Sequence, residues 1–212
     1  MAQQRIWGNT TPAAPADIVS FGRGGQGYIY DMETGFMVTA ERTNPIFDFS
    51  STDKSVANAE FLTNLTEAKK IGSTMAVDVV QLGFRVSKID GSECSPAEVA
   101  AMKALLASAR VKLTYGSNDT VVGEFAGQHI MAPVDNLCAA TTTTAKAMSQ
   151  AGGVNCSSWI NLPVSIPMQP NVNIGGTVRF TLPVPAALLP AEPGDPELFA
   201  FKVILAGYKQ VK

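Results

Sequence analysis

Charge is what this chain has least of. Sixteen Lys+Arg and eighteen Asp+Glu make up 16% of its 212 residues, where an ordinary soluble domain carries about 25%. Histidine is scarcer still: His129 is the single copy, so any Ser-His-Asp or Cys-His site would have to be built around that one ring. It follows Gly127-Gln128, and no G-x-S-x-G nucleophile elbow occurs in the sequence, which favours a neutral, hydrogen-bonded structural histidine. Cys94, Cys138 and Cys156 are few, widely spaced and odd in number. They argue against a disulfide framework, and with one histidine they make no zinc set; small hydrophobes in a reducing compartment are the simpler reading. The expected cofactor and metal complement is none, and the chain is expected not to be an enzyme.

An apolar run able to span a bilayer is also missing. The start, Met1-Ala2-Gln3-Gln4-Arg5 into Trp7-Gly8-Asn9-Thr10-Thr11-Pro12, has no signal-peptide h-region, which predicts synthesis in the cytoplasm. The longest charge-free stretch, Ala147 to Val178, holds Pro163, Pro167 and Pro170 among glycines, asparagines and serines. No transmembrane helix forms from such a segment. With a net charge of -2 and a pI near 5.4 there is no global cationic field, so no sequence-specific nucleic-acid partner is expected. Basic residues are scattered, and the first nineteen residues contain only Arg5.

What is present is apolar: 46% of residues, with mean hydropathy +0.12. That suffices for a large core and leaves a neutral surface, the composition of a protein that associates with further copies of itself. Residues 1–19 read as an irregular arm in which Ile6, Trp7 and Ile18 stand out as candidate assembly contacts, and residues 20–212 read as one body.

Along the body, Tyr28 to Tyr30 and Phe36 to Thr39 read as two short strands around a turn at Asp31 to Gly35, with Pro45 to Phe49 as a third. Ser50 to Lys70 has helix-compatible spacing at Val56, Phe61, Leu62 and Leu65 but many Ser, Thr and Asn. From Met75 to Val86 the chain alternates, placing Ala76, Asp78, Val80, Leu82, Phe84 and Val86 on one largely apolar face of a long strand. Ser95-Pro96-Ala97-Glu98 is a capping box with proline at the first helical position, and predicts a helix over about 95–109. Val111 to Tyr115 and Thr120 to Phe125 flank Gly116-Ser117-Asn118-Asp119 as a hairpin. Leu162 to Met168, with Pro163 and Pro167 on alternate positions, reads as an edge strand. Thr177 to Leu182 and Leu198 to Tyr208 complete the set.

Motifs that carry chemistry are thin. Gly22-Arg23-Gly24-Gly25-Gln26-Gly27 fits G-x-G-x-x-G, yet strand-like Tyr28-Ile29-Tyr30 follows where a dinucleotide site needs a helix. Asp78, Glu124 and Asp135 do not form a recognisable carboxylate pair. The N-x-[ST] sequons at Asn9, Asn64, Asn118 and Asn155 are incidental in a chain without a signal peptide.

Many short strands and one inserted helix indicate an all-β, jelly-roll-like sandwich with an irregular N-terminal arm. Leu162-Pro163-Val164-Ser165-Ile166-Pro167-Met168-Gln169-Pro170-Asn171, Val178-Arg179-Phe180-Thr181-Leu182-Pro183 and the closing Phe199 to Tyr208 resemble the C-terminal half of jelly-roll capsid proteins of tailless icosahedral bacteriophages, over about 50 residues. The resemblance implies a virion shell subunit that partners itself in trimers or capsomers, together with other virion proteins, with the arm reaching a neighbour or an underlying membrane. Nothing marks two tandem jelly rolls. Two other classes remain open: a carbohydrate or host-surface binding jelly roll using Trp159 or Tyr115, and a hydrolase using Cys138 or Cys156 with His129.

Overall fold

The computed structural model describes residues 26–71, 75–127 and 155–211. The arm with Ile6, Trp7 and Ile18 lies outside the described residues, as do Gly22, Gly24, Gly25, His129, Cys138 and the threonine run at 141–144.

In chain order the elements are β1 (Gln26–Met37), β2 (Thr43–Ile46), a single helical turn α1 (Ala59–Leu62), β3 (Met75–Lys88), α2 (Pro96–Ser108), β4 (Ala109–Tyr115), β5 (Thr120–Ala126), β6 (Asn155–Met168), β7 (Ile174–Phe180), a 3-10 turn Ala186–Leu188 and β8 (Phe199–Val211). They form two antiparallel four-stranded sheets ordered β1-β8-β3-β6 and β2-β7-β4-β5. Pairing therefore runs first with last, second with seventh, third with sixth and fourth with fifth, and apart from the β4–β5 hairpin each connection crosses to the other sheet. That is one long antiparallel ribbon rolled into a sandwich, the jelly-roll wrap expected for an all-β chain of this patterning.

The inserted helix forms where the capping box places it. The Ser95 hydroxyl accepts from the Glu98 N–H at 3.2 Å, and the Ser95 N–H donates to Glu98 Oε2 at 2.6 Å, so two of the orphan donors at the helix start are satisfied. Val99, Met102, Leu105 and Leu106 turn inward, and the chain leaves the helix at Ala109 directly into β4.

Between the sheets lies one apolar core. Phe201 on β8 is its hub: its ring meets Phe36 at 5.5 Å, Phe84 at 5.9 Å and, across the sandwich, Phe180 of β7 at 5.4 Å. Phe47, at the end of β2, is fully buried with φ 70, a costly conformation for an aromatic residue. It is held because its N–H donates to Thr34 Oγ1 at 2.8 Å and its carbonyl accepts from the Lys69 N–H at 2.7 Å.

Three expectations need correction. The stretch Asp31 to Gly35 is no turn: β1 runs unbroken and pairs with β8 from Tyr28 to Met37. Gly35 is the residue that permits the close approach, since a Cβ there would meet the Phe201 carbonyl oxygen. The alternation of β3 is also interrupted. Register shifts against both neighbours between Val79 and Gln81, so Val80 is an extra, bulged residue and the inward set changes parity. Val77 and Val79 are in the core before it, and Leu82, Phe84 and Val86 after it, while Asp78 and Val80 are half-buried. Lastly, β7 starts before the glycine pair Gly175-Gly176 rather than after it.

The edge-strand expectation for Leu162 to Met168 fits its position in β6 at the border of the first sheet. The register break leaves 162–165 without partners on β3, so Pro163 interrupts no ladder bond to that strand.

Candidate functional site

The residues expected to carry assembly, Ile6, Trp7 and Ile18, are outside the described residues, so the site is built from the sheet faces that the fold presents. Catalytic alternatives gain no geometry. Asp78 lies on the first sheet and Glu124 on the second. Cys94 is buried ahead of α2, where burial pushes its thiol up and the Glu98 carboxylate adds to the effect, a setting that works against a thiolate nucleophile. Among the described residues no cluster of His, Cys, Asp and Glu has metal-ligand geometry, and no helix is long and apolar enough to cross a membrane. Tyr115, one of the two aromatics a sugar-binding reading would use, packs against the core and its hydroxyl accepts the Gln169 N–H.

The outer face of the second sheet carries a concavity lined by charged side chains. On β4 the core residues Val111 and Leu113 alternate with exposed Arg110 and Lys112, and on β7 Val178 and Phe180 alternate with exposed Thr177 and Arg179. Strand pairing places Arg110 directly opposite Arg179, with Thr43 and Ala126 completing that row. The next row is Pro45, Thr177, Lys112 and Glu124. Directly opposite residues share a face with Cβ atoms about 5 Å apart, and successive rows are about 7 Å apart. A concavity of about 660 Å³ is lined by Arg110, Lys112, Arg179, Glu124, Thr177 and Phe125, among others.

Neither Arg110, Lys112 nor Arg179 forms an ion pair or side-chain hydrogen bond with another described residue. Arg42 behaves differently: its guanidinium donates to the carbonyls of Phe180 at 3.2 Å and Thr181 at 2.6 Å, tying down the end of β7 beside this face. Among the described residues the cavity lining thus carries three cations against one carboxylate. Sequence reading missed it because the cations come from two strands that are distant along the chain. The available signal was the Arg-Val-Lys-Leu alternation at 110–113.

On the first sheet the outer side of β8 is buried. Ala200, Lys202, Ile204 and Ala206 alternate with the core residues of β8, and none exceeds 5% exposure. Lys202 Nζ donates to Glu33 Oε2 at 3.2 Å and lies 4.0 Å from the centre of the Phe61 ring, next to α1. Directly opposite Lys202 is Arg85, whose Nε is buried without a hydrogen-bond partner, as is Ser87 Oγ.

At the end of β3, Lys88 Nζ donates to Glu98 Oε1 at 3.0 Å. Burial works against the Glu98 carboxylate, but hydrogen bonds from the Ser95 N–H and from Lys88 outweigh it and hold the carboxyl below its ordinary value. The Glu98 hydrogen bond raises Lys88 in turn. This pair fixes the helix to the strand that precedes it.

No protein-family model matches this chain, and no curated protein matches it either.

Proposed function

We propose that the chain is a structural subunit of an icosahedral virion shell, assembling by self-association, as its C-terminal resemblance to jelly-roll phage capsid proteins implies. The observation that carries the reading is the complete eight-strand wrap, β1-β8-β3-β6 over β2-β7-β4-β5, in a chain with 16% charged residues. Viral shells are among the recurrent users of this architecture, and a charge-poor exterior suits subunits whose sides are covered by neighbours. Residues 1–19, with Ile6 and Trp7, supply the arm that ties one subunit to the next or to an underlying membrane.

Because the fold hosts several functions, the test is assembly itself. Electron microscopy and sedimentation of the purified full chain should show regular capsomers or shells. A variant lacking residues 1–19 should keep its far-ultraviolet circular dichroism and cooperative unfolding yet fail to assemble further. A full chain that stays monomeric at high concentration overturns the shell reading, and normal assembly without the arm overturns the arm's role.

A further inference from the structure

We propose that the concave outer face of the second sheet is a binding site for a tetrahedral oxyanion, a phosphate group held between Arg110 and Arg179 with Lys112 as the third cation. Three observations converge on it. First, two guanidinium groups stand directly opposite one another on the exposed side of paired strands. Like charges so placed repel and weaken the pairing, so an arrangement with no carboxylate between them among the described residues is stabilised by an added anion. Second, Lys112 lies one row further on the same face, and its opposite neighbour on β5 is Glu124. That carboxylate is placed to offset Lys112 more than the arginine pair, which leaves a compact net positive charge sized for one multivalent group rather than a stripe sized for a nucleic-acid backbone. Third, the cations line a cavity of about 660 Å³, within the range that holds a small ligand.

Arginine is the residue suited to this role. Its fork donates two parallel N–H groups to two oxygens of one phosphate, so two facing forks bind all the peripheral oxygens of a phosphate monoester. The phosphate could belong to a soluble anion or to a lipid headgroup; the recognition chemistry is the same.

Titration calorimetry of inorganic phosphate into the full chain at neutral pH and low ionic strength tests the site. The wild-type chain should bind. Arg110→Ala/Arg179→Ala should weaken binding by about tenfold or more, since each charge-assisted bond lost is of that order. Arg110→Lys/Arg179→Lys, which keeps the charge and removes the forks, should lose part of the affinity. Glu124→Gln should tighten binding, and Lys54→Ala, which removes an exposed cation on the loop before α1, should leave it unchanged. A vesicle arm with phosphatidate in phosphatidylcholine identifies the source: capture that phosphate competes away points to a headgroup, and phosphate binding without capture points to a soluble anion. Absence of both, or equal weakening by Lys54→Ala and the arginine double variant, overturns the site. Circular dichroism of each variant confirms that the sheet is intact.

Discussion

The Phe201 ring stands edge-on to Phe180 across the sandwich interior, centroids 5.4 Å apart and planes at 74°. This single contact joins the centre of one sheet to the centre of the other, since β8 and β7 are both internal strands. Phe36 stacks on the same ring at 15° and Phe84 tilts against it. Edge-to-face pairs add to area burial because the positive ring edge meets the negative ring face. Phe201→Ala should therefore remove about 3–5 kcal/mol of stability, the range for an aromatic deleted from a packed core. Urea unfolding reads it as a lower midpoint with an unchanged slope. A loss below about 1 kcal/mol would mean that the ring is not the hub.

The Lys88–Glu98 junction makes a pH-dependent contribution. Glu98 is held below its ordinary value of 4.5 when folded, so its contribution is present above the unfolded value and is lost as pH falls through the folded one. Lys88 is raised above 10.5, so its share is full below that value and disappears only at higher alkalinity. Glu98→Gln keeps an acceptor for the Ser95 N–H but discards the charge, and should cost about 0.5–1 kcal/mol at pH 7. The gap to wild type should narrow as pH falls through the folded value of the native carboxyl, which then loses its charge as well. A gap that does not narrow at any pH on acid titration of the folded chain would contradict the assignment.

Lys202 and Glu33 are unequal partners. The lysine side chain is 6% exposed and the glutamate 28%. Glu33→Ala strands a nearly buried ammonium beside the Phe61 ring with Arg85 opposite, and should cost about 3 kcal/mol or more. Lys202→Met removes the buried charge and its repulsion with Arg85, while Glu33 turns to water, so the loss should stay under about 1 kcal/mol. Thermal unfolding of the two variants side by side decides it, and the reverse order would refute the account.

Local rules in the sequence reach as far as local interactions decide. Ser95, Pro96 and Glu98 announce the helix because all three act within one turn. Gly116 to Asp119 announces the hairpin for the same reason. The unbroken β1 was illegible because Asp31 to Gly35 has turn-forming residues locally, and only the ladder to β8 makes it extended. The bulge at Val80 depends on Gly207, where any Cβ would strike the Asp78 carbonyl, and no pattern within β3 signals a glycine from the far end of the chain. The Arg110–Arg179 pair has the same origin: each arginine reads as an ordinary outward residue of its own strand, and their juxtaposition exists only once β4 pairs with β7.

That juxtaposition gives a stability signature separate from any binding measurement. With no anion present, Arg110 and Arg179 repel across the ladder, so Arg179→Thr, which substitutes a good strand former at an exposed position, should raise stability by about 0.2–1 kcal/mol at low salt. Sodium chloride screens exposed charges, and the gain should shrink as ionic strength rises. Phosphate should act differently at matched ionic strength. A ligand that binds only the folded state raises the unfolding midpoint with its concentration, so phosphate should stabilise the wild-type chain more than chloride does, while Arg179→Thr should respond to both alike. Urea titrations of the two chains in each salt supply the comparison. If Arg179→Thr is destabilised at low salt, the two guanidinium groups do not repel, and the electrostatic basis of the site falls.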